Sequence, residues 1–187
     1  MDVYQTLSDE TVALRLQQGD HACLEELIRR YYPALKRYLY RVSGGDSALS
    51  EELAQETMLQ LIKGLPSYDS GRPFRPWLYA IATNLLRNHF KRPEHRYQHD
   101  DDEAVERLPD EREPTPEHFS VAAETSRRLE AELQRLPIQQ RQIIVLRYVE
   151  ELPLVEIAQM LDLPLGTVKS RLRLGIDRLR SALEDER

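Results

Sequence analysis

The sequence predicts an all-α protein: two small helical bundles joined by a flexible acidic linker, the C-terminal bundle carrying a helix-turn-helix. Three observations lead there. Apolar residues recur at spacings of three and four in both flanks, with little of the alternation a strand needs. The charge is uneven: residues 1–93 hold 12 Lys+Arg against 11 Asp+Glu, residues 94–124 hold 3 against 11, and residues 125–187 hold 11 against 10. The apolar pattern also lapses where the acid accumulates. The expected organisation is a first domain over 1–93, a linker over 94–124 and a second domain over 125–187.

Leu24, Leu27, Ile28, Tyr31 and Tyr32 form the first apolar stripe, continued past Pro33 by Leu35, Tyr38, Leu39 and Val42. Ser43-Gly44-Gly45-Asp46 interrupts it. A second helix is expected from about Leu49 to Leu65, then a loop over Pro66–Pro73 from its turn residues, then a third helix from about Pro76 to Phe90. The stretch 94–124 contains Pro109, Pro114 and Pro116 and the run Asp100-Asp101-Asp102-Glu103. It holds too little apolar surface to offset the entropy of ordering. It reads as a tether, or as an acidic strand covering a basic face elsewhere on the chain. His95 and His99 are four apart and near acids, but with no Cys nearby and in a disordered context they are not expected to hold a metal. Helices follow from about Ala122 to Leu136, after Pro137 to Val149, over Leu154–Leu161 and over Pro164–Leu183.

Composition narrows the function. The chain has 187 residues, 41% of them hydrophobic and 31% charged. No stretch approaches the roughly 20 apolar residues of a membrane span, and the start MDVYQTLSDE does not read as a signal peptide. Cys23 is the lone cysteine, which fits a reducing cytoplasm. No Gly-rich phosphate loop, metal-ligand set or nucleophile elbow is present, so no enzyme and no cofactor are expected. Cys23 beside Leu24 reads as packing.

The segment LPLVEIAQMLDLPLGTVKSRLRLGIDRLR has a short helix, a tight turn and a longer helix, the frame of a helix-turn-helix. Ala158 is small enough for the two helices to approach, and Val155, Ile157, Leu161, Leu163 and Val168 are expected in the wedge between them. At about 100° per residue, Leu165, Val168, Leu172, Ile176 and Leu179 share the core side of the second helix. Thr167, Ser170, Arg171, Leu174 and Arg178 share the other, with Arg173 at its flank. Guanidinium forks, hydroxyls and an apolar group are what a major groove reads.

The runs Arg141-Gln142-Ile143-Ile144-Val145-Leu146-Arg147, Glu156-Ile157-Ala158 and Leu163-Pro164-Leu165-Gly166-Thr167-Val168-Lys169-Ser170-Arg171-Leu172 resemble the −35-reading domain of bacterial RNA polymerase sigma factors, most of all the extracytoplasmic-function group. The N-terminal flank agrees. Glu51-Glu52-Leu53-Ala54-Gln55-Glu56-Thr57-Met58 is similar to the family segment that docks on the β′ clamp helices. There Ala54, Met58, Leu61 and Leu65 make the buried stripe, while Glu52, Gln55, Glu56, Leu59 and Lys63 lie opposite. Phe74 to Asn88 resembles the −10-recognising helix, with Trp77, Leu78, Ile81, Ala82 and Leu85 toward the core. Thr83, Asn84, Arg87 and Lys91 face outward, and Asn88 lies near their edge. The loop over Ser67–Arg72 corresponds to the family's specificity loop, with Tyr68 either a stacking surface for a flipped base or a packed ring.

The resemblance implies a dissociable specificity subunit. Its partners would be core RNA polymerase (β′ clamp helices and β flap), promoter DNA and an anti-sigma factor. It would reside in the cytoplasm, held at the membrane only through such a partner. The implied −35 contacts are Arg147, Thr167, Lys169, Ser170, Arg171, Arg173 and Leu174; the implied −10 contacts are Tyr68, Asn84, Arg87, Asn88 and Lys91. Glu52, Gln55, Glu56 and Leu59 would meet the polymerase. One departure stands out: where the family often has a further Arg pair, this chain has Arg173-Leu174-Gly175-Ile176. The alternative, an autonomous helix-turn-helix regulator with an N-terminal sensor bundle, would bind a palindrome as a dimer, and the sequence carries no dimer heptad. Neither flank is basic enough for tight free DNA binding, which rests on phosphate neutralisation. The isolated protein is therefore expected to bind promoter duplex weakly in a salt titration, and a salt-tolerant nanomolar complex would contradict this.

Overall fold

The computed structural model describes residues 3–91 and 121–184. Most of the expected linker, with its acidic run and the His95–His99 pair, lies outside them, and the first helix after it already begins at Val121. The described residues form α-helices and short 3₁₀ and π turns, with no strand among them.

Before the first expected stripe stands a helix the apolar spacing did not single out, α1 (Asp9–Gln17). Ser8 caps it by accepting from the Thr11 amide, and Asp9 and Glu10 sit in its first turn, where acids oppose the positive end of the helix dipole. Helix α2 (Ala22–Ser43) runs through Pro33 and ends at Gly44, whose φ of 92° is the left-handed turn a glycine accepts at no steric cost. Asp46 then caps α3 (Ser47–Gly64) through the Leu49 amide at 2.9 Å. After a 3₁₀ turn and a loop comes α4 (Phe74–Lys91). The C-terminal module holds α5 (Val121–Arg135), α6 (Ile138–Ile144) running into a π turn over Val145–Val149, α7 (Leu154–Leu161) and α8 (Leu165–Glu184).

Helix α1 organises the N-terminal module by reaching both other layers. Arg30 of α2 donates to Asp9 and Glu26, at 2.6 Å each, and to the carbonyls of Leu7 and Tyr4. The Tyr31 hydroxyl also donates to Asp9. From its C-terminal end Gln17 donates to the carbonyls of Leu65 and Tyr68, fixing the chain before the loop. Glu10 accepts from the Phe74 amide at 3.0 Å, so a carboxylate of α1 satisfies an otherwise orphaned donor at the start of α4. Beneath lie Leu27, Leu35, Leu39, Leu61, Phe74 and Leu78, all fully buried.

In the C-terminal module Ile143, Leu146, Ile157 and Val168 form the fully buried centre. The α7–α8 turn places Asp162 at φ 54°, the left-handed position that closes α7, and the Leu163 amide donates to the Ala158 carbonyl. Ile157, Ala158, Leu161 and Val168 are buried as expected and Leu163 is half-buried, but Val155 is 54% exposed and not part of the wedge. The stripe through Leu154, Ile157, Ala158 and Leu161 turns the helix so that Val155, one residue round, points away.

Gly175 explains the departure from the family pattern in α8. A Cβ there would stand 2.7 Å from Ile144 Cδ1 and 3.2 Å from Gln140 Cβ, so α8 lies against α6 at a separation only hydrogen permits. The two modules also meet: α4 packs on α7, and α2 on α5, α6 and the π turn. Gly175→Val is expected to destabilise the protein by about 1–3 kcal/mol through overpacking, read by denaturant unfolding. Gly166→Ala, at a glycine with nothing within 4 Å of the added carbon, should change stability by less than about 1 kcal/mol.

Candidate nucleic-acid interface

Helix α8 buries Val168, Leu172, Gly175 and Leu179, and that burial fixes which residues face out. Lys169, Ser170, Arg173 and Leu174 are exposed, Leu174 by 47%, while Thr167 and Arg171 are half-buried at the edge of the same surface. No ion pair within the described residues holds Lys169, Arg171 or Arg173, so three cations stand beside an apolar group and two hydroxyls. Ser170 Oγ donates to the Thr167 carbonyl at 3.0 Å and keeps its lone pairs as acceptors. Arg147 is half-buried and donates to the Leu152 carbonyl at 3.2 Å, which ties part of its guanidinium to the turn before α7. Arg178 is exposed and donates to Gln140 at 3.3 Å.

Asn84, Arg87, Asn88 and Lys91 are all exposed on the outer face of α4. Arg87 donates to Asn84 Oδ1 at 2.5 Å, which couples the guanidinium to the amide. Thr83, expected on this face, is instead buried, its hydroxyl 2.9 Å from that of Tyr38. It belongs to the row Arg75, Tyr79 and Thr83, successive at four residues, which is covered by the C-terminal module.

Of the two alternatives for Tyr68, the structure has the packed ring. Tyr68 is 5% exposed and packs edge-on against Phe74 and at a tilt against Trp77, the centroid distances being 5.5 and 4.7 Å. Its hydroxyl donates to the Arg72 carbonyl, and burial pushes its pKa up to about 12. Phe74 and Trp77 in the following turn supply an apolar wall that draws the ring inward; the loop presents Asp69 and Arg72 to solvent instead.

On α3 the buried stripe of Ala54, Met58, Leu61 and Leu65 leaves Glu52, Gln55, Leu59 and Lys63 exposed and Glu56 half-buried, accepting from Gln60. Leu59 has an apolar companion that the sequence reading passed over. Ile62, three residues on and 45% exposed, doubles the apolar patch, and its position at i+3 of an outward leucine was the available signal.

The sequence reading also missed the contact between the modules. Glu150, 5% exposed, follows the π turn and accepts from the Tyr79 hydroxyl at 2.5 Å and from Arg75 at 2.8 Å. Burial and then the Glu150 charge raise the Tyr79 pKa, keeping the phenol a donor. Arg75 also lies over the Tyr79 ring, 5.5 Å from its centroid. Gln142 Nε2 donates to the hydroxyls of Tyr38 and Thr83 at 3.0 and 3.3 Å, and Arg41 meets Glu130 at 3.4 Å. Among the described residues no cluster of three or more His, Cys, Asp or Glu could hold a metal, and no helix is long and apolar enough to cross a membrane.

Residues 27–96 match the Sigma-70 region 2 family model and residues 133–181 the Sigma-70, region 4 model. The ECF RNA polymerase sigma factor SigW of Bacillus subtilis is 32% identical over 177 residues, covering 91% of this chain and 94% of that one. The ECF RNA polymerase sigma-E factor of Escherichia coli is 29% identical over 189 residues, 97% of this chain and 95% of its own. In fold, the chain resembles CnrH, solved in complex with the cytosolic domain of CnrY, with a TM-score of 0.69 at 22% identity over 96% of this chain and 99% of that one. It also resembles RpoE of Bartonella quintana, solved with the anti-sigma factor NepR, with a TM-score of 0.68 at 21% identity over 87% of this chain and 98% of that one. Two helical modules with the expected faces, two family models in matching order and a relative aligned along nearly its whole length lead to one conclusion: the chain belongs to the extracytoplasmic-function sigma factors of bacterial RNA polymerase.

Proposed function

We propose that this sigma factor divides promoter reading between its two modules while bound to core RNA polymerase. The domain over 1–93 captures the −10 element, and that over 125–187 reads the −35 duplex in the major groove. The carrying observation is the outward face of α8, where Lys169, Ser170, Arg173 and Leu174 stand exposed behind a helix-turn-helix, with Thr167 and Arg171 at their edge. Lys169 and the hydroxyls suit phosphate oxygens, the arginine forks suit guanine edges, and Leu174 suits a thymine methyl. Arg147, in the π turn before α7, would add a further cation to the −35 contact.

On α4, Asn84, Arg87, Asn88 and Lys91 offer amides for unpaired base edges and cations for the backbone of a single strand. A role for Tyr68 in holding a flipped base would need its ring to leave the aromatic cluster, so the exposed part of the loop is the better candidate for that contact. Glu52, Gln55, Glu56 and Leu59, joined by Ile62, form an apolar patch ringed by polar groups, the composition of a protein-binding surface, and its partner would be the β′ clamp helices. The C-terminal module would meet the β flap.

The chain acts as a specificity subunit and not as a catalyst. An anti-sigma factor would control it, as CnrY and NepR are bound to the two solved relatives. Such a partner, and not a span of its own, would bring this cytoplasmic protein to a membrane.

Two substitutions test the division of labour in run-off transcription with reconstituted holoenzyme. Arg171→Ala should reduce discrimination between a selected −35 element and its variants by about 1–3 kcal/mol if the guanidinium makes a bidentate base contact; unchanged preference removes that role. Leu59→Asp places a charge on a side chain already 51% exposed. It should weaken capture of core polymerase by about tenfold or more while leaving the thermal unfolding midpoint unchanged.

A further inference from the structure

Helix α1 has no part in the promoter and polymerase faces described above, and it lies ahead of residue 27, where the match to the region 2 family model begins. Its polar contacts converge on one place. Gln17 Nε2 donates to two carbonyls, that of Leu65 at 2.6 Å and that of Tyr68 at 2.8 Å, and so holds the chain just before the loop 69–73. Glu10 accepts from the Phe74 amide at 3.0 Å and so holds the chain just after it. Both ends of the loop are tied to the same short helix.

Glu10 and Gln17 are seven residues apart, two turns of helix, so they share a side of α1 and stand about 10 Å apart along its axis. That spacing is fixed because α1 is itself fixed. Val12 and Ala13 are fully buried, Ser8 caps the first turn, and Asp9 accepts from Arg30 and Tyr31 of α2. Between the two ties the loop is closed by its own hydrogen bonds. The Arg72 amide donates to the Asp69 carbonyl at 3.0 Å, the Gly71 amide to Asp69 Oδ1 at 2.9 Å, and the Tyr68 hydroxyl to the Arg72 carbonyl at 2.5 Å. Asp69, Gly71 and Arg72 are left exposed at the tip, with Ser70 half-buried beside them. A loop that orders only on binding loses affinity to that ordering and can adapt to a wrong base; one set in advance does neither.

We propose that Glu10 and Gln17 are positioning residues for promoter selection: by tying both ends of the 69–73 loop to α1 they hold its tip in one shape for the −10 strand, and so set −10 selectivity without touching DNA. The two side chains suit their places. Gln17 offers two N–H groups to two carbonyls, which a carboxylate of the same shape could not do. Glu10 offers an anionic acceptor at the start of α4, where unpaired amides and the positive end of the helix dipole favour one.

This rests on the reading that the N-terminal module captures the −10 element. Run-off transcription with reconstituted holoenzyme, on promoters varied at −10 or at −35, measures both selectivities in one assembly. Wild-type holoenzyme indifferent to the −10 sequence would overturn that reading and this inference with it. Gln17→Met keeps the chain length and removes both donors. It and Glu10→Ala should each lower −10 discrimination about five- to tenfold while −35 discrimination stays at the wild-type level. Glu10→Gln keeps an acceptor oxygen for the Phe74 amide and should restore most of the loss. Trp77, the lone tryptophan, lies 4.7 Å from the Tyr68 ring and reports on the base of the loop in the lone full-length protein. Gln17→Met should shift its emission to the red and raise its quenching by acrylamide. Where the wild type discriminates, three results would overturn the inference alone: −10 discrimination retained by both variants, −10 and −35 discrimination lost in equal measure, or a Trp77 spectrum that neither variant moves.

Discussion

A helix buries one side of its circumference and offers the other, and in this protein the depth of that burial decides which side chains α4 and α8 leave exposed. Helix α8 sits on α6 through Gly175, where any side chain would strike Ile144. That close seat puts Val168, Leu172 and Leu179 inside and leaves Lys169, Ser170, Arg173 and Leu174 outside. Helix α4 is gripped on two sides, by the apolar residues of its own module and by Glu150 and Gln142 of the other. What remains is the narrow strip of Asn84, Arg87, Asn88 and Lys91. The stability of the core and the chemistry of the surface are one choice made by the same helical register.

The charged network at the start of the chain serves this arrangement from a distance. Arg30 is shared by Asp9 and Glu26 and by two backbone carbonyls, and hydrogen bonds from Arg29, opposed by burial, hold Glu26 below the usual carboxylate range. Through Glu10 and Gln17 the same segment reaches the start of α4 and the chain ahead of its loop. Helix α4 thus begins at a fixed point, and Tyr68 is drawn into the aromatic cluster behind it. A polar N-terminal helix with a modest apolar side acts here as a brace.

The two modules are joined by both kinds of interaction: their buried apolar residues form one continuous core, and Glu150, Gln142 and Arg41 add directional polar contacts. Burial of Ile143, Leu146 and Ile157 scales with area and has no tolerance for water. A carboxylate between a phenol and a guanidinium depends on geometry and has water as a ready substitute.

Most of the secondary structure and the family relationship were legible in the sequence. Spacings of three and four located α2 through α8 to within a few residues, the glycines at 44 and 45 marked the end of α2, and the projected faces of α3 and α8 agree with their burial. Local periodicity and turn chemistry act over a few residues and are fully present in the chain. Helix α1 escaped because its apolar side is short, although Ser8 and the acids after it were a readable start. Val155, Thr83 and Tyr68 depended on which neighbours arrived from elsewhere: the pitch of α7, the covering module, the wall of Phe74 and Trp77. The meeting of Glu150 with Tyr79 and Arg75 joins residues more than 70 positions apart. No local pattern encodes such a pairing, and only the packing of one finished module on the other brings it about.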